Sequence, residues 1–440
     1  MNQPLISDAL LRREIGKFGI ATIAMNGVIG SGIFALPAVA IMKAGYFSPW
    51  IFVLCGILIL SVALTLARVA SFFDTTGGPI VYTTHAFGPY IGFQTGLLIY
   101  ISRVAAIAAS ANLIVSHAAT VWSPLESGIV RVAAMAAFVS LATLLNATGV
   151  RAGMVAVYTL SVLKLAPLFL LILVGFPSVE WRLVAGAEIL KPEPLGQTML
   201  ILMYAFIGFE FSLITAGETQ NARTQIPKVL VRTVVAIAVC YALIQLVAVS
   251  VGPDLGASKT PLIEIARRLM GSWGALALGI GVVFSMSGST LTSLLTAPRV
   301  TFALSRDGSL PAWFGKINEK NGAPVNSILF CGLLSIGMAV SQGFVWLIIL
   351  STFIRLLTYV LCIASLPIIE RTIPTQPKQF KLPGGLAIPI VGFVLTLWLI
   401  SQSTVDNILI TGLLIAAGTL VFWFSSRRKV AIFPSALITD

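Results

Sequence analysis

The chain has 440 residues, of which 57% are hydrophobic and only 10% charged, and its mean hydropathy is +0.98. A soluble domain carries about 25% charged residues, so these values exclude a water-soluble globular class and indicate a polytopic membrane protein. The formal net charge of +12 would suggest nucleic acid for a soluble chain; here it reads as loop charge that sets orientation across a bilayer, and no nucleic-acid partner is expected.

Residues 1–17 are polar and charged with no cleavable signal pattern, and are expected to lie on the cytoplasmic side. Twelve apolar segments follow, at 18–40, 49–73, 91–117, 127–147, 153–176, 196–217, 229–252, 273–303, 325–341, 344–368, 387–404 and 406–426. The first contains Asn26-Gly27-Val28-Ile29-Gly30-Ser31-Gly32-Ile33-Phe34-Ala35-Leu36-Pro37. Each glycine costs about 0.8–1.0 kcal/mol in a helix relative to alanine. Backbone loosened in this way is tolerated in a membrane only where protein buries it or a cavity receives it. A break would offer amides at one half-helix end and carbonyls at the other, suited to a zwitterion. Close helix packing through small residues fits the same glycines, and both readings stand at this point.

Between the second and third spans, Asp74-Thr75-Thr76-Gly77-Gly78-Pro79 reads as a turn and Ile80–Phe87 as a short helix lying along the surface. Pro261–Met270 reads as an external amphipathic helix with Glu264, Arg267 and Arg268 on its wet side. Thr372–Pro383 is a basic linker, and the tail after the last span covers 427–440. With both termini inside, the 28 Lys and Arg divide into 18 cytoplasmic, seven external and three within spans. The cytoplasmic set includes Arg12, Arg13, Lys17, Arg151, Arg223, Lys228, Arg306, Lys316, Arg371 and Arg427, and the excess fixes that orientation. Cys55, Cys240, Cys331 and Cys362 fall in apolar spans without paired spacing, so neither disulfides nor a zinc site is indicated. His85 and His117 sit at span ends and make no metal site, and no cofactor is expected.

The sixth span reads Met203-Tyr204-Ala205-Phe206-Ile207-Gly208-Phe209-Glu210-Phe211-Ser212, with a glycine and a carboxylate at mid-depth. A carboxylate there costs about 2.5–3.5 kcal/mol on insertion scales and needs a partner or a proton. Interrupted spans at matching positions of two halves are the sequence sign of an inverted-repeat carrier. A purely structural helix-to-helix tie at Glu210 is the competing account.

Four separated motifs now carry a resemblance: GVIGSGIF in span one, TGGPIVYTTHAFGPYIGFQTG after span two, YAFIGFE with GETQNARTQIP at span six, and APRVTFALSRDGSLPAWF after span eight. In this order they resemble the amino acid–polyamine–organocation permeases over at least the first ten spans. The resemblance implies an all-α, leucine-transporter-like fold of twelve transmembrane helices. Its two five-helix inverted repeats would cover 18–176 and 196–368, with two extra helices at 387–426. It also implies amino acid transport by alternating access, as multi-pass symport or exchange in the cell membrane, with a polyamine or organocation permease as the alternative.

Carried over residue by residue, a substrate carboxylate would meet the amides of Gly30, Ser31 and Gly32 and the Ser31 hydroxyl. The ammonium would face main-chain carbonyls near Val28 and around Phe206 and Ile207. Tyr204 resembles the family's aromatic gate, with plain packing as its alternative. Lys164, mid-span in Val162-Leu163-Lys164-Leu165-Ala166-Pro167, resembles the lysine that replaces sodium in sodium-independent members, with Ser289 as its span-eight partner. The family's usual Asn-Gly after that serine is Leu291-Thr292 here. Arg103 and Arg355 are buried cations that effectively never deprotonate. Structural pairing, for instance with Glu210, is one account; recognition of a substrate side-chain carboxylate is the other. Glu210 itself suits proton symport or pH-gated exchange, because a carboxylate out of water takes up a proton unless a cation counters it. Glu218, Arg223 and Lys228 are expected to form a charge network at the inner end of span six.

A channel or membrane-embedded enzyme is the reading from another class. No Asp lies in the interior of a span, neither His is mid-span, and no repeated filter occurs, so a non-enzymatic carrier is the expectation.

Overall fold

The computed structural model describes residues 13, 15–148, 150–306, 308–318, 322–376 and 379–432. Arg12 and the tail beyond 432 lie outside them, as do the side chains of Arg151, Arg306 and Arg427. The described chain is helical, with no strand and one isolated bridge between Ile15 and Thr219. Its helices are α1 (Lys17–Val28), α2 (Ser31–Ala44), α3 (Ser48–Ala70), α4 (Pro79–Phe87), α5 (Pro89–Ala119), α6 (Gly128–Ala147), α7 (Val150–Gly175) and α8 (Trp181–Ala185). The second half comprises α9 (Pro192–Leu202), α10 (Phe211–Ile214), α11 (Ala222–Val251), α12 (Pro261–Arg306), α13 (Val325–Ser341), α14 (Phe344–Thr372), α15 (Ala387–Ser401) and α16 (Val405–Ile432). Eight helical stretches among the described residues are long and apolar enough to cross a membrane.

Burial sorts these helices into an inner and an outer set. The most apolar stretch of α5 is 83% buried and that of α14 is 72% buried, against 22% for α6 and 11% for α16. A helix apolar all round but covered on one side only faces lipid with the rest. Leu141 and Leu144 of α6 and Leu413 and Leu420 of α16 are such exposed apolar residues. The inner set is held by packing of α3 on α11, α7 on α12, and α5 on both α12 and α14.

The expected surface helix after span two is α4, which starts behind Gly77 and Gly78 and packs on α5. The expected amphipathic helix ends at Met270, where Gly271 takes φ +66° and redirects the chain within α12. Arg268 there grips Asp254 through two hydrogen bonds of 2.6 and 2.7 Å and holds its carboxyl down at about 2. That lowered folded-state value makes the bond a contribution present above the ordinary carboxylate range and lost as pH falls through about 2.

At the end of α10 the expected charge network takes a different form. Glu218 pairs with Arg299 of α12 at 3.4 Å, and Arg223 pairs with Asp74 at 3.1 Å, so each reaches across to another element. Ile15 hydrogen-bonds Glu218 and Gln220 through its backbone at 3.0 Å each, which ties the start of α1 to the same place.

One backbone contact requires glycine on both sides. Gly208 has φ +123°, and a Cβ placed on it would lie 2.1 Å from the Gly27 carbonyl oxygen; a Cβ on Gly27 would lie 2.2 Å from the Gly208 oxygen. Gly208→Ala is therefore expected to destabilise the protein by about 1–3 kcal/mol from backbone strain alone, with the clash in addition. Gly412→Ala, at a helical site with nothing within 4 Å, is expected to be neutral or slightly stabilising. Thermal unfolding of both variants in detergent checks this; equal midpoints would contradict it.

Candidate functional site

The first break is narrower than the glycine run suggests. α1 continues to Val28 and α2 starts at Ser31, so only Ile29 and Gly30 leave helical geometry. Gly27 and Gly32 stay helical and serve close packing: a Cβ on Gly32 would lie 2.7 Å from the Ala205 Cα. Helix packing and helix interruption, the two readings of this motif, thus both occur within six residues. The second break is wider. After α9 the chain tightens into a 3-10 turn at Met203–Phe206, extends at Ile207, turns at Gly208, and resumes helix for one turn as α10.

The two breaks face each other. Ser31 Oγ and Tyr204 Oη share a hydrogen bond of 2.9 Å across them. The carbonyl of Val28 accepts from the Gly30 amide at 2.9 Å and from the Tyr241 hydroxyl at 3.2 Å, which uses both its lone pairs. Phe206, whose main-chain carbonyl was the expected group, packs its ring in an aromatic cluster with Phe52 and Tyr241. A small hollow of about 30 Å³ lies between the breaks. Of the expected residues, Val28, Gly30, Ser31, Gly32, Tyr204, Ile207, Ser289 and Arg355 line it. Ala106 of α5, Phe211 of α10, Ser293 of α12, Ser351 of α14 and the two glycines Gly27 and Gly208 complete the wall.

Lys164, Glu210 and Arg103 stand behind that wall. The Lys164 ammonium donates to the Ile29 carbonyl at 2.6 Å and to Asn26 Oδ1 at 2.7 Å, and is wholly buried. It thus meets the carbonyl end of α1, where a cation is favoured by the helix dipole. Ser289, expected opposite Lys164, lies against Gly30. The serine sharing the Ile29 carbonyl is Ser285, one turn earlier, at 3.2 Å. Asn26 also donates to Ser161. An amide buried mid-span was the available signal for its role, overshadowed by the glycines after it.

Glu210 forms an ion pair with Arg355, accepts from the Tyr359 hydroxyl at 2.8 Å and from the Gly208 amide at 3.1 Å. The carboxylate therefore fixes the second break as well as neutralising a cation. Arg355 Nε donates to Ser102 Oγ at 2.7 Å. Arg103, fully buried, donates through Nη1 to Thr296 at 2.6 Å and lies 3.4 Å over the Phe211 ring. Its Nε and Nη2 have no hydrogen-bond partner.

The remaining titratable candidates are local. His117 bonds the carbonyl of Leu113 one turn back, and His85 bonds Thr372. Among the described residues no three of His, Cys, Asp and Glu are grouped to hold a metal. A larger hollow of about 390 Å³ between α1, α7 and α11 has walls that are almost entirely apolar, with Met25, Ile29, Phe169 and Ile237 among them. It suits lipid chains rather than a zwitterion.

With this geometry in view, residues 15–424 match the family model described as amino acid permease. The chain is 24% identical to the branched-chain amino acid permease BcaP of Bacillus subtilis, over 95% of this chain and 94% of that protein. It is 23% identical to the serine/threonine exchanger SteT of the same organism, over 96% of this chain and 98% of that protein. A methylthioribose transporter, also from Bacillus subtilis, is 24% identical over 95% and 94%. A multi-pass chain whose two helix breaks meet at a small polar hollow, matched over nearly its whole length, belongs to the amino acid permease family.

Proposed function

We propose that this protein is a secondary active transporter that moves amino acids across the cell membrane by alternating access, with both termini cytoplasmic. The observation that carries this reading is the meeting of two interrupted spans, with Gly208 of the second break against Gly27 at the end of α1 and Ser31 and Tyr204 hydrogen-bonded across them. Amides at the start of α2 suit a carboxylate, and carbonyls at the end of α1 and around Ile207 suit an ammonium. Because Tyr241 occupies the Val28 carbonyl, the ammonium takes that site by displacing a hydroxyl.

Counting each broken pair, α1–α2 and α9–α10, as one span gives twelve with α3, α5, α6, α7, α11, α12, α13, α14, α15 and α16. The packing supports an inverted repeat of five plus five. If each of the first five spans corresponds to the span five later, α7 on α12 maps onto α14 on α5, and α1 on α11 onto α9 on α3. All four pairs are packed.

In this reading Lys164 replaces a coupling cation at the end of α1, so transport is sodium-independent, and Glu210 carries the proton of a symport or exchange cycle in the step that parts it from Arg355. Opening toward the side of the termini would separate Ile15 from Thr219 and Glu218 from Arg299. A polyamine substrate is disfavoured by charge: Arg103, Lys164 and Arg355 are buried cations near the hollow, against Glu210 alone.

Two measurements test these roles. Uptake of radiolabelled amino acids into proteoliposomes is expected to persist when sodium is replaced by potassium and to rise with an inward proton gradient. Lys164→Ala is expected to abolish it. Uptake driven by a sodium gradient alone would remove the role given to Lys164. The Glu210–Arg355 pair is tested by a double-mutant cycle on thermal stability. Glu210→Gln alone is expected to cost about 3–5 kcal/mol by stranding a buried charge. Adding Arg355→Met is expected to restore most of that loss, whereas additive costs would contradict the pairing.

A further inference from the structure

The arginine cluster behind the hollow is one carboxylate short. Arg103 and Arg355 are 0% and 2% exposed, and Glu210, 1% exposed, is the carboxylate set against them. Glu210 is committed to Arg355, Tyr359 and the Gly208 amide. Arg103 has a single side-chain partner, the neutral Thr296 hydroxyl, and its Nε and Nη2 are buried without partners. Guanidinium groups do not shed their protons to escape burial. An uncompensated charge in the membrane interior is expensive enough to point to a function.

Position links this surplus to the hollow. Arg355 lines the hollow directly. With Nε on Ser102 and Nη1 on Glu210, Nη2 is the donor left for the space it lines. Arg103 lies one turn before the wall residue Ala106 on α5, and its guanidinium covers the Phe211 ring at 3.4 Å. Phe211 is itself a wall residue, and the Arg355 guanidinium lies 5.8 Å from the same ring. The Phe211 side chain therefore lies between the hollow and Arg103, while Arg355 already borders the space. Rotation of Phe211 away from its stacked position would expose the unpartnered edge of Arg103 to the hollow.

We propose that the site selects an amino acid whose side chain ends in a carboxylate, received by Arg355 Nη2 and, once Phe211 turns aside, by Arg103. The two guanidinium groups then face two carboxylates, Glu210 and the substrate's. This rests on the amino acid carrier reading and narrows it to dicarboxylic substrates.

The test uses the purified full chain in proteoliposomes, with counterflow of L-glutamate and L-aspartate measured against L-glutamine, L-asparagine, L-serine and L-leucine. The wild-type protein is expected to prefer each acid over its amide by on the order of 10–100-fold, the usual worth of a charged hydrogen bond. Arg103→Gln is expected to shrink that ratio about tenfold, and Arg103→Lys, which keeps the charge, to retain most of it. Replacing chloride with gluconate is expected to leave the preference unchanged. Loss of preference without chloride would assign the surplus charge to a small anion and overturn the proposal. Saturable transport of serine or leucine with glutamate no better than glutamine overturns it too, while leaving the carrier reading intact. No counterflow of any amino acid removes both. The wild-type comparison decides the matter even if the arginine variants do not fold.

Discussion

Everything in the site depends on two polypeptide backbones touching at Gly27 and Gly208 inside the membrane region. Neither position has room for a Cβ, and Gly208 adopts a φ that other residues resist. Interrupting helices in low dielectric strands amides and carbonyls that water cannot reach. The surrounding side chains answer that demand one group at a time. Lys164 and Ser285 take the Ile29 carbonyl, Tyr241 takes Val28, Glu210 takes the Gly208 amide, and Tyr204 takes the Ser31 hydroxyl. The break is thus a built feature, anchored from α7, α11 and α12 as well as from its own helices.

The charges divide into two groups with different tasks. Lys164 is satisfied by two neutral oxygens, Asn26 Oδ1 and the Ile29 carbonyl, at the end of α1. Glu210 and Arg355 form a compensated pair that stitches α14 to the second break through Tyr359 and Gly208. Arg103 belongs to neither arrangement, and its stacking on Phe211 stores a positive charge beside the hollow. Cation–π contact offsets part of the cost of desolvation but supplies no counter-charge.

Much of this was legible in the residues. Gly30 and Gly208 flagged both breaks because glycine inside a span is a weak helix former, and Lys164, Glu210, Arg103 and Arg355 stood out as ionisable groups at mid-depth. The surface helix expected over Ile80–Phe87 and the amphipathic helix expected over Pro261–Met270 followed from turn glycines and amphipathic spacing. What could not be read was tertiary. Which serine of α12 faces Ile29 is decided by a single helical turn, and Ser285 and Ser289 are chemically identical in sequence. The packing of the Phe206 ring with Phe52 and Tyr241 joins three elements distant in the chain. The partners of Glu218 and Arg223 come from α12 and from the turn before α4, at separations that local pattern does not encode.

The most direct measurement is an experimental structure of the protein with its amino acid bound. Ligand density is expected between the amides that open α2 and the extended segment at Ile207–Gly208, with its carboxylate toward Ser31 and its side chain toward Arg355. Density elsewhere, or continuous helix through both Gly30 and Gly208, would contradict the meeting of two interrupted helices as the place where substrate is held.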